Sequence, residues 1–175
     1  MMTTMSGPKP QLSSEDRFRD FVRQHGVALA RTAVLLTGDH QHAEDLTQNV
    51  LMKLYLRWAK IDEPLAYARK ALVSTHIDTS RRRWWFSERP TGDVPDRPGG
   101  ADTEQRTADH DQVERLLREL TPRERAVIVL RYQCDLSEQE TARTLGLAVG
   151  TVKSTSARAL QRLRVTSSTQ TNGEA

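Results

Sequence analysis

Residues 137–154 read SEQETARTLGLAVGTVKS, a stretch that predicts two helices joined by a tight turn. Ser137 followed by Glu140 forms a capping box, which starts a short helix there. Gly146 then favours the left-handed backbone conformation that ends this helix. A second, amphipathic helix is predicted over residues 149–163. A short helix, a glycine turn and a longer helix together predict a helix-turn-helix unit.

The second helix of this unit has one apolar side and one basic side. Its apolar side is predicted to consist of Val149, Val152, Leu160 and Leu163. No acidic residue occurs from 149 to 164, whereas a solvated helix usually mixes both charge signs. Cationic and hydroxyl side chains contact phosphates and base edges in the major groove, so we predict that this side binds DNA. The predicted DNA contacts are Thr151, Lys153, Ser154, Thr155, Arg158 and Arg162. The alternative is a basic surface helix that packs on a partner protein.

A second capping box lies sixteen residues before the first. Thr121 and Glu124 supply it, and Pro122 between them suits the first turn of a helix. We therefore define a C-terminal block over residues 109–165. The polar tail from residue 166 is expected to lack fixed structure.

The composition changes sharply before this block. Residues 86–108 contain Pro90, Pro95 and Pro98 with several glycines and almost no apolar side chain. Such a segment buries too little surface to offset the entropy lost on ordering, so we predict a flexible linker.

The remaining N-terminal block covers residues 13–85 and is also predicted to be helical. Ser13 is a plausible cap, Gly38 is a stop signal, Asp39 caps the next helix and Pro64 suits a helix start. No strand-like alternation occurs in either block. The expected fold is all-α, with two small helical domains joined by the linker.

The third helix of the N-terminal block carries a second basic cluster. Arg69 and Lys70 precede Arg81, Arg82 and Arg83, and Trp84 and Trp85 follow directly. Cations interleaved with aromatic rings suit single-stranded nucleic acid, because bases stack on the rings while arginine holds the backbone. The alternative is a solvated helix end whose tryptophans fold back onto the core.

Composition excludes several classes of function. The chain has 175 residues, a formal net charge of +3 and a single cysteine, Cys134, which excludes an intrachain disulfide or a multi-thiolate zinc site. We expect this thiol to be buried and inert. The first ten residues lack the apolar core of a signal peptide, and no apolar run is long enough for a membrane span. We therefore expect a cytoplasmic protein without membrane insertion.

The order of these motifs resembles the extracytoplasmic-function sigma factors, and within them the actinobacterial, SigE-like branch. The segments that carry the resemblance are AEDLTQNVLMKLYLRW (43–58), PLAYARKALVSTHIDTSRRRWW (64–85) and LTPRERAVIVLRYQCDLSEQETARTLGLAVGTVKS (120–154). They span both blocks in the family's order. The chain departs from the family's frequent pattern at Ala148, where serine is common, at Thr155, where arginine is common, and at Ser74, where asparagine is common.

The resemblance implies a promoter-recognition subunit of RNA polymerase. The N-terminal block would be region two, whose Asp45 and Gln48 would dock on the clamp helices of the largest polymerase subunit. The loop after Trp58 and the helix from Pro64 would melt and hold the minus ten element. Its implied DNA backbone contacts are Arg69, Lys70, Arg81, Arg82 and Arg83. The C-terminal block would be region four, whose last helix reads the minus thirty-five element.

The resemblance also implies no catalysis and no cofactor. It adds localisation to the nucleoid when the chain is bound to polymerase. Because many family members are held inactive by a separate anti-sigma protein, it admits such a partner here.

Two other classes of function stay open on the sequence. The first is a helix-turn-helix regulator that does not join polymerase, although it requires neither Asp45 and Gln48 nor the arginine cluster. The second is an enzyme or metalloprotein, because four side chains that can bind a metal lie close together: His40, His42, Glu44 and Asp45. His40 and His42 are two positions apart, which places them on different faces of a helix, so we predict no metal site.

Overall fold

The computed structural model describes residues 13–87 and 108–171, and within these ranges the chain forms helices joined by short turns. The N-terminal block contains α1 (Ser14–Thr37), α2 (His40–Arg57), a 3-10 turn (Trp58–Lys60) and α3 (Pro64–Ser87). The C-terminal block contains α4 (Ala108–Arg118), α5 (Pro122–Ile128), a π-helical turn (Val129–Gln133), α6 (Glu138–Leu145) and α7 (Val149–Thr171). The all-α prediction is confirmed for these residues. Most of the predicted linker, residues 88–107, lies outside them.

The helix ends of the N-terminal block follow the predicted signals. The Ser13 hydroxyl accepts a hydrogen bond from the backbone N–H of Asp16 at 3.1 Å, which caps α1. Gly38 ends α1 with a φ of 68°, in the left-handed region that a side chain disfavours. Asp39 accepts from the backbone N–H three residues on at 2.7 Å, and Pro64 is the first residue of α3. Local chemistry therefore sets these boundaries.

Both predicted capping boxes are present in the C-terminal block. The backbone N–H of Thr121 donates to Glu124 Oε2 at 3.1 Å, and the Thr121 hydroxyl accepts from the Glu124 N–H at 3.3 Å. Ser137 and Glu140 make the same exchange at 2.8 and 3.2 Å. Gly146 has a φ of 64° and ends α6, as predicted.

The last helix is longer than predicted. We expected no fixed structure from residue 166, but α7 continues to Thr171. In this extension the Thr166 hydroxyl donates to the carbonyl of Arg162 at 3.1 Å, and the Ser167 hydroxyl donates to that of Arg164 at 2.9 Å. These bonds satisfy the hydroxyls within the helix, and no glycine or proline interrupts the chain before Gly173.

The N-terminal block is a three-helix bundle around leucine side chains. Leu29 and Leu36 of α1, Leu54 of α2 and Leu72 of α3 are fully buried together. At one end Phe18 packs edge-on against Trp58, with 5.2 Å between ring centroids. This packing fixes which faces of α2 and α3 remain exposed.

The two blocks pack against each other and share one apolar core. Ala33 and Leu36 of α1 belong to the same buried cluster as Leu120, Ala126 and Leu130 of the C-terminal block. Helix α3 also packs on α5 and α6. This association was not predicted from the sequence.

A buried arginine crosses the boundary between the blocks. Arg125 of α5 is 9% exposed, and its guanidinium donates to the carbonyl oxygen of Leu36 at 2.9 Å. It also donates to the carbonyls of Arg118 at 3.1 Å and Leu120 at 3.3 Å, at the end of α4. Burial lowers the pKa of Arg125, as does the nearby charge of Arg118 to a smaller degree. Arginine nevertheless stays charged in proteins, so a cation is buried at this boundary.

Cys134 lies at the same boundary. Its side chain is half-buried rather than fully buried, and its Sγ lies 3.7 Å from the hydroxyl oxygen of Thr32 in α1. The predicted thiol environment is thus partly correct.

Candidate nucleic-acid interface

Helix α7 presents its cations to solvent. Lys153 and Arg158 are exposed, as are Thr151 and Ser154, and the Ser154 hydroxyl donates to the carbonyl of Thr151 at 3.1 Å. On the opposite side Val152 is buried with Val127 of α5 and Ala142 of α6. The helix is therefore held by α5 and α6 and displays a basic surface.

The prediction that Thr155 lies on this exposed surface is wrong. Thr155 is 3% exposed, on the buried stripe that also contains Val152 and Ala159. Positions three and seven residues apart share one helix face, and this spacing places Thr155 inward. The prediction assigned residues to the exposed side by polarity alone, and it therefore placed Thr155 on the wrong side of the helix.

Two further positions lie on the exposed side of α7. Ala157 and Gln161 are exposed, at helical spacing from Ser154 and Arg158. Gln161 carries an amide that can both donate to and accept from base edges. The same spacing was visible in the sequence, but neither residue is cationic and both were overlooked.

Two of the exposed cations have acidic neighbours within the chain. Arg162 Nη1 lies 3.2 Å from Glu124 Oε2, and Glu124 as a whole residue is only 8% exposed. Lys153 Nζ lies 3.6 Å from Glu138 Oε2, in the first turn of α6. The ion pair of Arg162 thus joins α7 to α5, while the side chain of Lys153 remains largely exposed.

The turn between α6 and α7 sets the orientation of the two helices relative to each other. After the left-handed Gly146, the backbone N–H of Leu147 donates to the carbonyl of Ala142 at 2.9 Å. Such a bond satisfies a carbonyl that the end of α6 leaves open. This is the geometry of the predicted helix-turn-helix unit.

The second predicted basic surface runs along α3. Lys70, Arg81 and Arg82 are exposed, and Arg81 lies 3.5 Å from Asp78. Arg83 is part of α3, but its side chain and those of Trp84 and Trp85 lie outside the described residues. The proposed stacking of bases on these rings therefore stays a prediction.

Arg69, the first cation of that surface, faces the C-terminal block. It is half-buried, on the helix that packs against α6. Hydrogen bonds from the hydroxyl and backbone N–H of Ser137 lower the pKa of Glu140, and the positive charges of Arg143 and, to a smaller degree, Arg69 add to this effect. Arg69 is therefore near the acidic first turn of α6.

Helix α2 exposes a face of mixed polarity. Asp45 and Gln48, the two predicted docking residues, are both exposed on it. Met52 is 56% exposed and Leu56 is 75% exposed, at the following turns of the same face. Exposed apolar side chains beside polar ones are typical of a protein-binding surface.

The histidines near the start of α2 have acidic neighbours. His42 Nδ1 lies 2.9 Å from Asp39, and His40 Nε2 lies 4.0 Å from Glu114 of α4. Among the residues described, no three His, Cys, Asp or Glu side chains are grouped as a metal site. In the same ranges, no helix has the length and hydropathy of a membrane span.

Comparison with known proteins gives two family matches, one in each block. Residues 21–86 match the model of sigma-70 region 2, and residues 110–163 match that of sigma-70 region 4. The RNA polymerase sigma-E factor of Streptomyces coelicolor is 40% identical over 154 residues, covering 84% of both chains. The ECF RNA polymerase sigma factor SigL of Mycobacterium tuberculosis is 32% identical, covering 82% of this chain and 84% of its own.

The fold is also similar to that of a solved protein. The sigma factor RpoE of Bartonella quintana, in its complex with the anti-sigma factor NepR, superposes with a TM-score of 0.67. The two are 26% identical, and the match covers 83% of this chain and 95% of the other. The similarity includes both blocks.

Proposed function

The chain belongs to the extracytoplasmic-function sigma factors of the sigma-70 family, and on that premise we propose how its two blocks divide promoter recognition. The C-terminal block binds the minus thirty-five element and the N-terminal block binds polymerase and the minus ten element. The chain acts in the cytoplasm, carries out no catalysis and needs no cofactor. When it is bound to polymerase it associates with the nucleoid.

We place α7 in the major groove. Chief support comes from its exposed cations, Lys153 and Arg158, on the second helix of a helix-turn-helix unit. Thr151, Ser154 and Gln161 lie on the same side and can reach base edges. Thr155 is omitted because it is buried, and Arg162 contributes only if it exchanges Glu124 for a phosphate.

The N-terminal block is proposed to hold the melted minus ten strand. Support comes from the exposed Lys70, Arg81 and Arg82, on the helix that also carries Arg69 and Arg83. Cations along a single helix can follow the backbone of one strand.

The exposed face of α2 is proposed to dock on the clamp helices of the largest polymerase subunit. Asp45 and Gln48 supply its polar contacts, and we add Met52 and Leu56 because a helix that binds a protein surface usually buries apolar anchors. These surfaces also offer binding sites for an anti-sigma protein.

The segment between the blocks lets both act on one promoter. Roughly 20 residues separate Ser87 from Ala108, and a fully extended chain of that length spans at most about 70 Å. Linking two weak sites raises the effective concentration of the second once the first is bound.

Run-off transcription with purified core polymerase tests this function. The full chain should direct new start sites on genomic promoter fragments, and it should co-purify with core. A chain that binds DNA but neither joins core nor yields a transcript would instead be a regulator that acts without polymerase. The matched control is the Asp45→Lys variant, which keeps both DNA surfaces.

A further inference from the structure

A cleft lies where α2 and α3 meet α5. Its volume is about 310 Å³, at the lower end of the range of small-molecule binding sites. Asn49 of α2, Thr79 of α3 and Arg125 of α5 all contribute to its lining. Each of the three helices therefore brings a polar side chain to the cleft.

The walls that α2 and α3 give to the cleft are almost entirely polar. Thr75 and Thr79 lie one turn apart on α3. His42 and Asn49 lie two turns apart on α2, so each pair shares one helix face. Leu46 is the one apolar residue that these two helices add to the described lining. Polar groups in such a gap need hydrogen-bond partners, which a polar ligand or water supplies.

Arg125 brings a buried positive charge to this cleft. It is 9% exposed, and its two Nη atoms donate to backbone carbonyl oxygens, which carry no full charge. Its Nε atom is buried and has no hydrogen-bond partner in the part of the chain that the structure describes. Burial lowers the pKa of Arg125, and the nearby positive charge of Arg118 lowers it further. A buried cation in a positive surrounding favours the binding of an anion.

Asp45 adds a negative charge to the lining and so limits the kind of anion that fits. A bare anion would be attracted by Arg125 and repelled by the carboxylate of Asp45. A ligand that carries hydroxyl groups beside its anionic group suits both side chains, because hydroxyls donate hydrogen bonds to a carboxylate. Asn49 lies one turn after Asp45, and its amide can donate to or accept from the same hydroxyls.

We propose that this cleft binds a small phosphate monoester, either a sugar phosphate or a mononucleotide. The phosphate pairs with Arg125 and with the hydroxyls of Thr79 and Ser80, and the sugar hydroxyls lie against Asp45 and Asn49. A guanidinium suits phosphate because its N–H groups form parallel hydrogen bonds to the phosphate oxygens. This binding goes beyond the proposed function and does not depend on it.

A consequence for polymerase follows from the position of Asp45, and this part rests on the proposed function. Asp45 belongs to the face of α2 that is proposed to dock on the clamp helices. A ligand that accepts Asp45 as its partner in the cleft competes with core polymerase for the same side chain. The concentration of the phosphate monoester then sets how much of the chain joins polymerase.

Titration of the full-length chain tests the site, with calorimetry and backbone amide NMR shifts as readouts. The probes are AMP, ribose 5-phosphate, inorganic phosphate and ribose. We expect at least one of the two monoesters to bind with a dissociation constant below about 1 mM, roughly 10-fold more tightly than inorganic phosphate or ribose. The largest shifts are expected at Asn49, Thr79 and Arg125.

Three results of this titration would overturn the proposal. One is shifts confined to the exposed cations of α7, which would mean general attraction of phosphate to the proposed DNA surface. Another is the absence of saturable binding of both monoesters up to about 10 mM, which would leave the cleft to water. The third is equal affinity for the monoesters and inorganic phosphate, which would remove Asp45 and Asn49 from the site.

Ser80→Ala tests the placement of the phosphate. It removes one hydroxyl of the cleft with little change in volume and should weaken monoester binding roughly 5-fold. Ser74→Ala removes an exposed hydroxyl from the same helix outside the cleft lining, so it is the matched control and should bind as wild type does. Equal affinity of the two variants would overturn the placement.

Arg125→Met tests the cation. It should weaken monoester binding at least roughly 10-fold, because a charged donor is lost. Circular dichroism checks that the variant keeps its helices, since Arg125 also bonds to the end of α4. Wild-type affinity in a helical variant would overturn the proposal, and Ser80→Ala decides it if Arg125→Met does not fold.

Pull-down of core polymerase tests the competition separately. A saturating monoester should lower the amount of core retained roughly 3-fold relative to ribose at the same concentration. Equal retention would overturn the competition for Asp45. A chain that retains no core even without ligand would instead contradict the proposed function, while calorimetry still decides whether the cleft binds the monoester.

Discussion

Arg162 of α7 lies beside Glu124 of α5, with 3.2 Å between Nη1 and Oε2. The same carboxylate oxygen accepts hydrogen bonds from the backbone N–H and the hydroxyl of Thr121. The buried Glu124 therefore caps the N-terminus of α5 and also pairs with the proposed recognition helix, α7. The pair makes the orientation of α7 depend on a residue that does not itself face DNA.

Arg162→Ala should lower the free energy of unfolding by about 1 kcal/mol, because it leaves the buried Glu124 without its cationic partner. Arg158→Ala on the exposed side should change it by less than about 0.5 kcal/mol. Urea unfolding of both variants measures the difference. Equal losses of stability in the two would contradict the bracing role of Arg162.

Gly38→Ala should destabilise the fold more than Gly146→Ala. Both glycines have positive φ, 68° and 64°, so each substitution strains the backbone by roughly 1 kcal/mol. At Gly38 the new β-carbon would also lie 3.0 Å from Cγ of Arg118, whereas at Gly146 it would meet nothing within 4 Å. Thermal unfolding should therefore place the midpoint of Gly38→Ala below that of Gly146→Ala. The reverse order would show that Arg118 does not pack there.

Stability should fall in acid partly through Asp39. The backbone N–H of His42 donates to this carboxylate and is the main cause that lowers its pKa below the usual 3.8. A lowered folded pKa contributes stability above the unfolded pKa, and that contribution is lost as the pH falls through the folded value. Asp39→Asn keeps a capping oxygen but no titrating group. Between about pH 5 and about pH 2.5, its free energy of unfolding should decline less than that of wild type. An equal decline in the free energy of unfolding of the two proteins would show that Asp39 does not contribute to the loss of stability in acid.

Glu138→Gln should strengthen promoter binding by the C-terminal block roughly 2- to 5-fold, the size expected of an exposed ion pair. Lys153 would then meet phosphate without a competing carboxylate 3.6 Å away. Lys153→Ala should weaken binding to many sequences and lower the slope of log affinity against log salt by about 1. DNA titrations at several salt concentrations measure both. An unchanged slope for Lys153→Ala would place this lysine away from the phosphates.

Asp45→Lys should abolish binding to core polymerase without changing the fold, because Asp45 is exposed. Glu15→Lys makes the same charge change at an exposed site on α1 and should leave core binding intact. Pull-down of core with each purified variant, alongside circular dichroism, is the measurement. Core retained by Asp45→Lys would rule out the proposed docking face.

Local signals in the sequence predicted the helix boundaries well, because the groups that set them are neighbours in the chain. Thr121 with Glu124, and Ser137 with Glu140, lie three residues apart, so each capping box can be recognised from the sequence. Gly146 ends α6 because glycine readily adopts the left-handed backbone conformation, which can also be recognised from the sequence. The same locality explains the correct placement of the helix-turn-helix unit.

Association of the blocks was not predicted, since it depends on partners far apart in the chain. Arg125 donates to the backbone carbonyl of Leu36. Because every residue has such a carbonyl, the amino-acid sequence does not show which one accepts the bond. Thr155 was misplaced because its hydroxyl suggested exposure while its angular position dictated burial. The side chains of Trp84 and Trp85 lie outside the described residues, so the stacking surface remains a prediction.

The length of α7 has a practical consequence. Eight residues continue the helix from Leu163, the last apolar position that packs on the core, to Thr171, a rise of about 12 Å at 1.5 Å per residue. A fluorescent protein fused after this point would be carried on a stiff spacer, clear of the proposed groove-facing residues. Live-cell imaging of such a fusion should therefore preserve promoter recognition better than one joined ahead of α1, near the aromatic end of the bundle.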